Sequence, residues 1–138
     1  PSLGFEPPTM PVLARMVLAM AARLEASADD AEAVGRTEGA HRAAPYSKAP
    51  STLEAVVSDL DRLGFDPLVT EHPDDADAAV VAFAHCPFAE FATEHPELVC
   101  GLHRGLVAGF VAEMGDADIS EFCTLTSRTP CRVTVASR

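Results

Sequence analysis

The sequence lacks tryptophan altogether, and aromatic residues make up only 6% of its 138 residues. It is also poor in basic residues, because 10 Lys and Arg stand against 21 Asp and Glu, for a formal net charge of −11. Such a negative surface repels phosphate backbones, so we expect that this chain does not bind nucleic acid by itself. No apolar run reaches the length of a membrane-spanning helix, so we expect no membrane association.

Motifs of several enzyme classes are also missing. There is no GxSxG elbow, no P-loop and no GxGxxG after a predicted strand. The apolar segment over residues 10–22 contains Arg15 and has no suitable cleavage site, so we do not interpret it as a signal peptide. Four cysteines without a secretory signal indicate a reducing cytoplasm, where thiols serve metal or redox chemistry more often than disulfides.

The residues that are present indicate one α+β domain. A hydrophobic content of 48% in a chain of this length suits a single core. We interpret residues 1–8 as a linker and residues 9–138 as a single metal-binding effector, or sensor, domain. The pattern predicts N-terminal helices followed by two β-hairpins, which form a mostly antiparallel sheet packed against helices.

Local signals place most of these elements. Capping patterns predict that the second and third helices begin near residues 27 and 51. A long helix is predicted from Pro96 to Met114, with Gly115 closing it. Strands are predicted over residues 65–71, 78–84, 119–126 and 131–136, with a turn over 127–130. The second strand is apolar on both faces, so we expect it to be central in the sheet.

Three glycines recur every four residues along the long helix, at Gly101, Gly105 and Gly109. Each costs about 1 kcal/mol against alanine in a helix interior. The simplest compensation is the close approach of another backbone to this face. A ligand channel along the smooth face is the alternative.

Cys86, Cys100, His103 and Cys131 form the candidate site of this sequence. Three thiols and one imidazole are a common tetrahedral zinc set. Cys100 and His103 lie three residues apart on a predicted helix, so they share one face and can reach one ion. We therefore predict these four residues as metal ligands, although a single free cysteine more often packs in a core.

Two details of the site depend on local structure. Pro87 suits the first position of a helix, which would place Cys86 at or beside the N-cap, where the positive helix end lowers the pKa of the thiol. Cys123 is the remaining thiol, and it is either buried and inert or the fourth ligand in place of His103. His85 adjoins Cys86, but neighbours on an extended chain point in opposite directions.

The first predicted helix carries a broad apolar stripe that includes Val12, Met16, Val17 and Met20. Such a stripe suits either an ordinary core helix or a helix at a subunit interface. The stripe is larger than the edge of one small domain needs, so we expect a homodimer built on this helix.

Over about residues 60–135, the chain resembles the C-terminal sensor half of bacterial winged-helix regulators of the Suf-operon repressor family, which is related to ArsR-type regulators. The resemblance rests on HCPF at residues 85–88, HPELVC at 95–100, the GL pair at 105–106 and PCRV at 130–133. It implies that Cys86, Cys100 and Cys131 hold an iron–sulfur cluster that controls DNA binding. It also implies that DNA is bound only through an N-terminal winged helix, which this sequence does not contain. Because the sequence begins with Pro1 and not Met, we expect it to be part of a longer protein.

We therefore interpret the chain as a metal- or redox-sensing regulatory domain of a bacterial transcriptional regulator. His103 completes a set of four protein ligands, which favours a closed zinc site and makes an iron–sulfur cluster the alternative cofactor. Four protein ligands leave no open coordination position, and no candidate general base lies near the motif, so we do not expect an enzyme. The alternatives are a domain that senses a small-molecule effector around a purely structural metal, and a thiol- or metal-dependent enzyme.

Overall fold

The computed structural model describes residues 9–123 and 131–138, and within them it is a mixed α+β structure. The described α-helices are α1 (Thr9–Arg23), α2 (Ala28–Ala43), α3 (Thr52–Arg62), α4 (Ala89–Glu94) and α5 (Pro96–Met114). The described strands are β1 (Pro67–Glu71), β2 (Ala78–Phe83), β3 (Ala117–Cys123) and β4 (Arg132–Ser137), and a short 3-10 helix spans Ala44–Tyr46. The predicted fold class is confirmed. The predicted linker over residues 1–8 and the predicted turn over 127–130 lie outside the described residues.

Helix boundaries follow the local signals closely. The Ser27 hydroxyl accepts a hydrogen bond from the backbone N–H of Asp30, and the Asp30 carboxylate accepts one from the backbone N–H of Ser27, which forms a capping box at the predicted N-cap of α2. Helix α5 begins at Pro96 and is closed by Gly115, whose φ of 89° is left-handed. A side chain at that φ would be strained, so glycine is what allows the chain to turn from α5 into β3.

The strands form one antiparallel sheet in the order β1-β2-β4-β3. The two predicted hairpins are therefore joined through β2 and β4, and β2 lies inside the sheet as predicted. Val81 of β2 is opposite Val133 of β4, and both are buried. Two residues further along β2, the backbone N–H of Phe83 donates to the carbonyl of Cys131 at 2.9 Å. This bond brings the start of β4 beside the end of β2, where the chain continues toward Cys86.

Helices α2 and α5 pack with their backbones in direct contact. A Cβ added at Gly105 would overlap the carbonyl oxygen of Glu32, and one added at Gly39 would overlap the carbonyl oxygen of Leu106. The packing explanation for the α5 glycines is thus confirmed. Their face is covered by α2, so the alternative of a ligand channel along that face is wrong. The other side of α5 remains free to pack against the sheet, where Val107 and Val111 join the core with Phe65.

Helix α1 lies on the outside of the domain, and none of its residues is buried. Its inner side is half-buried at Ala14 and Leu18, whereas Met16 and Met20 on the opposite side are 58% and 57% exposed. An isolated helix of this length is marginally stable in water, so an apolar helix with so little cover needs further packing. None of the described helices is both long and apolar enough to cross a membrane.

The contact between α2 and α5 predicts the effect of Gly39→Ala. Helix propensity alone would make this change stabilising by about 1 kcal/mol. The added methyl has backbone atoms in its way, so we expect instead a loss of about 2 kcal/mol or more in the free energy of unfolding. Urea denaturation followed by circular dichroism measures the difference. Thr37→Ala, at an exposed position of the same helix, is the control and should change stability little.

The exposed side of α1 predicts the effect of Met16→Glu. We expect the wild-type chain to be a homodimer and the variant to be a monomer, because a charge on this stripe opposes its burial between two copies. Light scattering at high protein concentration measures the mass. Ala33→Glu places the same charge on an exposed position of α2 and should leave the dimer intact. A wild-type protein that stays monomeric would rule the interface out.

Candidate functional site

His103 lies on α5 inside a group of aromatic rings and is only 4% exposed. Its imidazole stacks on Phe65, with ring centroids 4.3 Å apart and an angle of 17° between the planes. Phe83 lies 4.8 Å away, Phe122 5.4 Å away and Phe88 6.3 Å away, the last two edge-on. We call these four phenylalanines the aromatic cage. They come from the loop before β1, the end of β2, the segment before α4, and β3, so the cage forms only in the folded chain.

Burial in this cage controls the charge of His103. Removal from water lowers the pKa of His103 from 6.5 to about 4, so the imidazole is neutral at physiological pH. Its Nε2 atom is buried and has no hydrogen-bond partner within the described residues. Burying such a group without a partner costs about 1–3 kcal/mol. A neutral imidazole with an unpartnered nitrogen is also the form in which histidine binds a metal.

The three predicted thiol ligands lie at the same end of the sheet as His103. Cys131 is 5% exposed and belongs to the hydrophobic core, and Cys86 packs against that core from the segment after β2. Cys100 is half-buried on α5, one turn before His103. Burial raises the pKa of the Cys100 thiol, and negative charge on Cys86 raises it further, which links these two sulfurs electrostatically.

The structure corrects the prediction that Cys86 caps a helix. Helix α4 begins at Ala89, with Phe88 as its N-cap residue, so Pro87 is not its first residue. The carbonyl of Cys86 accepts a hydrogen bond from the backbone N–H of Ala89 at 3.0 Å, as the start of a turn leading into the helix. Burial raises the pKa of Cys86, although a backbone hydrogen bond at Phe88 partly opposes this, so the predicted fall is wrong. The adjacent His85 is exposed, consistent with the expected opposite orientation of neighbours.

All four predicted ligands are among the described residues, but they do not form a ready coordination shell. No group of three or more His, Cys, Asp or Glu side chains in the described part of the chain could hold a metal ion. The donor types fit zinc, and the unpartnered Nε2 of His103 fits a ligand role, whereas the arrangement of the thiols does not complete a site. The backbone of Cys123 pairs with Arg132 at the end of β3. The four-ligand set therefore stays a prediction.

The sequence interpretation missed the aromatic cage. The chain has seven phenylalanines, and four of them surround this one imidazole. They are far apart in the sequence, so no spacing rule connects them. The sequence therefore carries no local signal for the cage, which arises only from tertiary contacts.

A second feature that sequence interpretation missed is a cavity of about 600 Å³ between α1, α2, α4 and α5. Leu13 and Val17 form its α1 wall, and Leu102 and Leu106 form its α5 wall. Phe88 borders this cavity and also meets His103 edge-on, so one ring is shared between the cavity and the aromatic cage.

Comparison with protein-family models, with curated proteins and with solved structures found no match for this chain. The resemblance to Suf-operon repressors accordingly rests on the quoted segments alone.

The depressed pKa of His103 predicts how metal-free protein responds to acid. Because the folded-state pKa of about 4 lies below the ordinary 6.5, the unfolded chain takes up this proton first as the pH falls. Stability should be unaffected by this group above pH 6.5 and should decline between pH 6.5 and 4, by about 3 kcal/mol in the limit. Urea denaturation across this range, with a chelator present, measures the slope.

His103→Leu should flatten that slope, because leucine replaces the imidazole with an apolar side chain that does not titrate. His41→Leu removes an exposed histidine and serves as the control, with the wild-type slope expected. Equal slopes in wild type and His103→Leu would contradict the burial argument.

Proposed function

We propose that this chain is the regulatory domain of a bacterial transcriptional regulator that responds to a metal or to redox state through Cys86, Cys100, His103 and Cys131. The observation that carries the proposal is the buried, unpartnered Nε2 of His103. A structural histidine normally satisfies both ring nitrogens, and a buried nitrogen without a partner is costly. A metal ligand role, with thiols from two other elements at the same end of the sheet, accounts for that cost.

Zinc is the favoured cofactor, with an iron–sulfur cluster as the alternative. His103 would offer Nε2, and the three cysteines would offer thiolates once deprotonated. Because burial raises the thiol pKa of Cys86 and of Cys100, metal binding should release protons and weaken as the pH falls. Bound zinc would supply a link between α5, the residue before β4 and the segment after β2, whereas a cluster would supply redox sensitivity.

The surroundings of His103 support a regulatory role over an enzymatic one. Its described ring neighbours are phenylalanines, which can neither take nor give a proton. A general acid or base needs a polar partner within hydrogen-bond reach. The described residues around His103 pack closely and exclude water, which suits a site that stabilises one conformation of the protein.

The net charge of the chain and the exposure of α1 support a proposal for its quaternary structure and its relation to DNA. We propose a cytoplasmic homodimer joined through the outer stripe of α1, which contains Val12, Met16 and Met20. With a formal net charge of −11, this domain is unsuited to the phosphate backbone, so DNA would be bound through a winged helix outside this sequence. Binding or loss of the metal at the thiols would then change the packing of α5 against the sheet.

A domain that senses a small molecule is the second candidate. The 600 Å³ cavity favours it, because pockets of this size and apolar character commonly take small ligands. In that case the thiol site would hold a purely structural metal.

Metal analysis with an absorption spectrum of anaerobically purified protein tests the first proposal. Colourless protein with one zinc per chain is expected, and brown protein with a broad visible band would indicate a cluster instead. His103→Ala should weaken metal binding by about 10-fold or more, a size of loss known even for residues that only support ligands. Cys123→Ser and the exposed-site control His41→Ala should bind metal normally.

The pattern among the variants assigns the fourth ligand. Loss of metal in Cys123→Ser but not in His103→Ala would give that place to Cys123. Metal binding that survives both changes would favour a cluster held by three cysteines. Absence of both zinc and iron from anaerobic wild-type protein that can still be unfolded cooperatively would contradict the metal-responsive role.

A further inference from the structure

The cavity between α1, α2, α4 and α5 has apolar walls and one charged residue. Its volume is about 600 Å³, and Leu13, Leu18, Val99, Leu102 and Leu106 are among the side chains that line it. Water in such a space finds few hydrogen-bond partners, so its replacement by an apolar ligand is favourable. Glu38 of α2 is the only charged residue among the described residues that line it.

The charge of Glu38 is not neutralised by a close partner. Within the described residues, no ion pair or hydrogen bond involves the Glu38 carboxylate, although its charge acts at longer range on Arg42. The neighbouring cations are already paired: Arg42 with Asp59 at 2.8 Å, Arg15 with Glu90 at 2.9 Å and Arg36 with Glu32 at 3.6 Å. Together with the formal net charge of −11, this arrangement makes the rim of the cavity attractive to a cation and repellent to an anion.

The aromatic residues that line the cavity also favour a positively charged ligand. Phe88 and Phe91 both line it. The guanidinium carbon of Arg15 already lies 5.9 Å from the centroid of the Phe91 ring, in a cation–π contact. The face of an aromatic ring attracts positive charge because of its quadrupole, and the attraction grows as water is excluded.

We propose that this cavity binds a lipophilic organic cation, a molecule with aromatic or aliphatic groups around a quaternary nitrogen or phosphorus. The apolar groups occupy the space between α1 and α5, and the positive charge lies toward Glu38, because the ring of Phe91 already holds the guanidinium of Arg15. The same carboxylate disfavours fatty acids and other anions at this site. This site does not depend on a metal at the thiols, so either can be tested without the other.

Isothermal titration with two ions of matched shape and opposite charge tests the proposal. Tetraphenylphosphonium should bind wild-type protein with a stoichiometry of one per chain, and tetraphenylborate should bind several-fold more weakly. Glu38→Gln should weaken tetraphenylphosphonium binding by about 3-fold at low salt, because it removes an exposed charge and keeps the shape. Glu54→Gln removes an exposed carboxylate from α3, outside the cavity, and should bind like wild type.

A second variant tests the location independently of charge. Ala14→Trp places a large ring in the cavity from α1 and should abolish binding, with circular dichroism confirming that the fold is kept. Equal binding of both ions, wild-type affinity in Glu38→Gln, or no binding of the cation at all would each overturn the proposal. Binding seen only in Met16→Glu would overturn it too, because a second copy of the chain would then occupy the cavity in the dimer.

Discussion

The contact between α2 and α5 is the constraint on which the rest of this structure depends. Glycines on both helices let the two backbones touch, with Gly39 against Leu106 and Gly105 against Glu32. Dispersion forces are short-ranged, so two helices at this separation gain contacts that larger side chains would prevent. The cost is conformational entropy, because glycine makes the unfolded chain more flexible than alanine does. It amounts to about 1 kcal/mol for each glycine in a helix. In return, α5 is fixed in both position and rotation.

The rotation of α5 about its own axis determines the surroundings of His103, and so its charge. With its glycine side turned to α2, α5 directs His103 toward the sheet, where Phe65 and Phe83 enclose the imidazole. A histidine turned to solvent would keep its ordinary pKa and find water for both nitrogens. Here the same packing that stabilises the core removes His103 from water and keeps it neutral. The buried Nε2 of His103 therefore lowers the free energy of unfolding. A local loss of stability of this kind is typical of residues that serve a function.

Elements with local signals were predictable from the sequence. Helix α5 runs from Pro96 to Met114 as expected, because its proline start and Gly115 stop are encoded within a few residues. The place of β2 inside the sheet followed from its apolar faces. The position of Cys86 relative to α4 was not predictable in the same way. A proline suits a helix start but does not compel one, and here the helix begins two residues later, at Ala89.

The environment of the site was beyond local patterns altogether. The burial of His103 and the cavity beside α1 arise from contacts between residues distant in the sequence, such as Phe65 with His103. Spacing along a helix predicts which side chains share a face, and this holds for Cys100 and His103. It does not predict how deeply each is buried, and His103 is enclosed while Cys100 is only half-buried.

The strand order has a consequence for synthesis of the protein. Strand β4 lies between β2 and β3, yet it is the last of the four described strands along the chain. Until Arg132–Ser137 have left the ribosome, β2 lacks one of its two partners and β3 has none in this sheet. Exposed strand edges invite pairing with other chains, so the nascent domain passes through a stage that is prone to association. Cys131 immediately precedes this segment. The sheet and the set of thiols are therefore completed at the same point in synthesis.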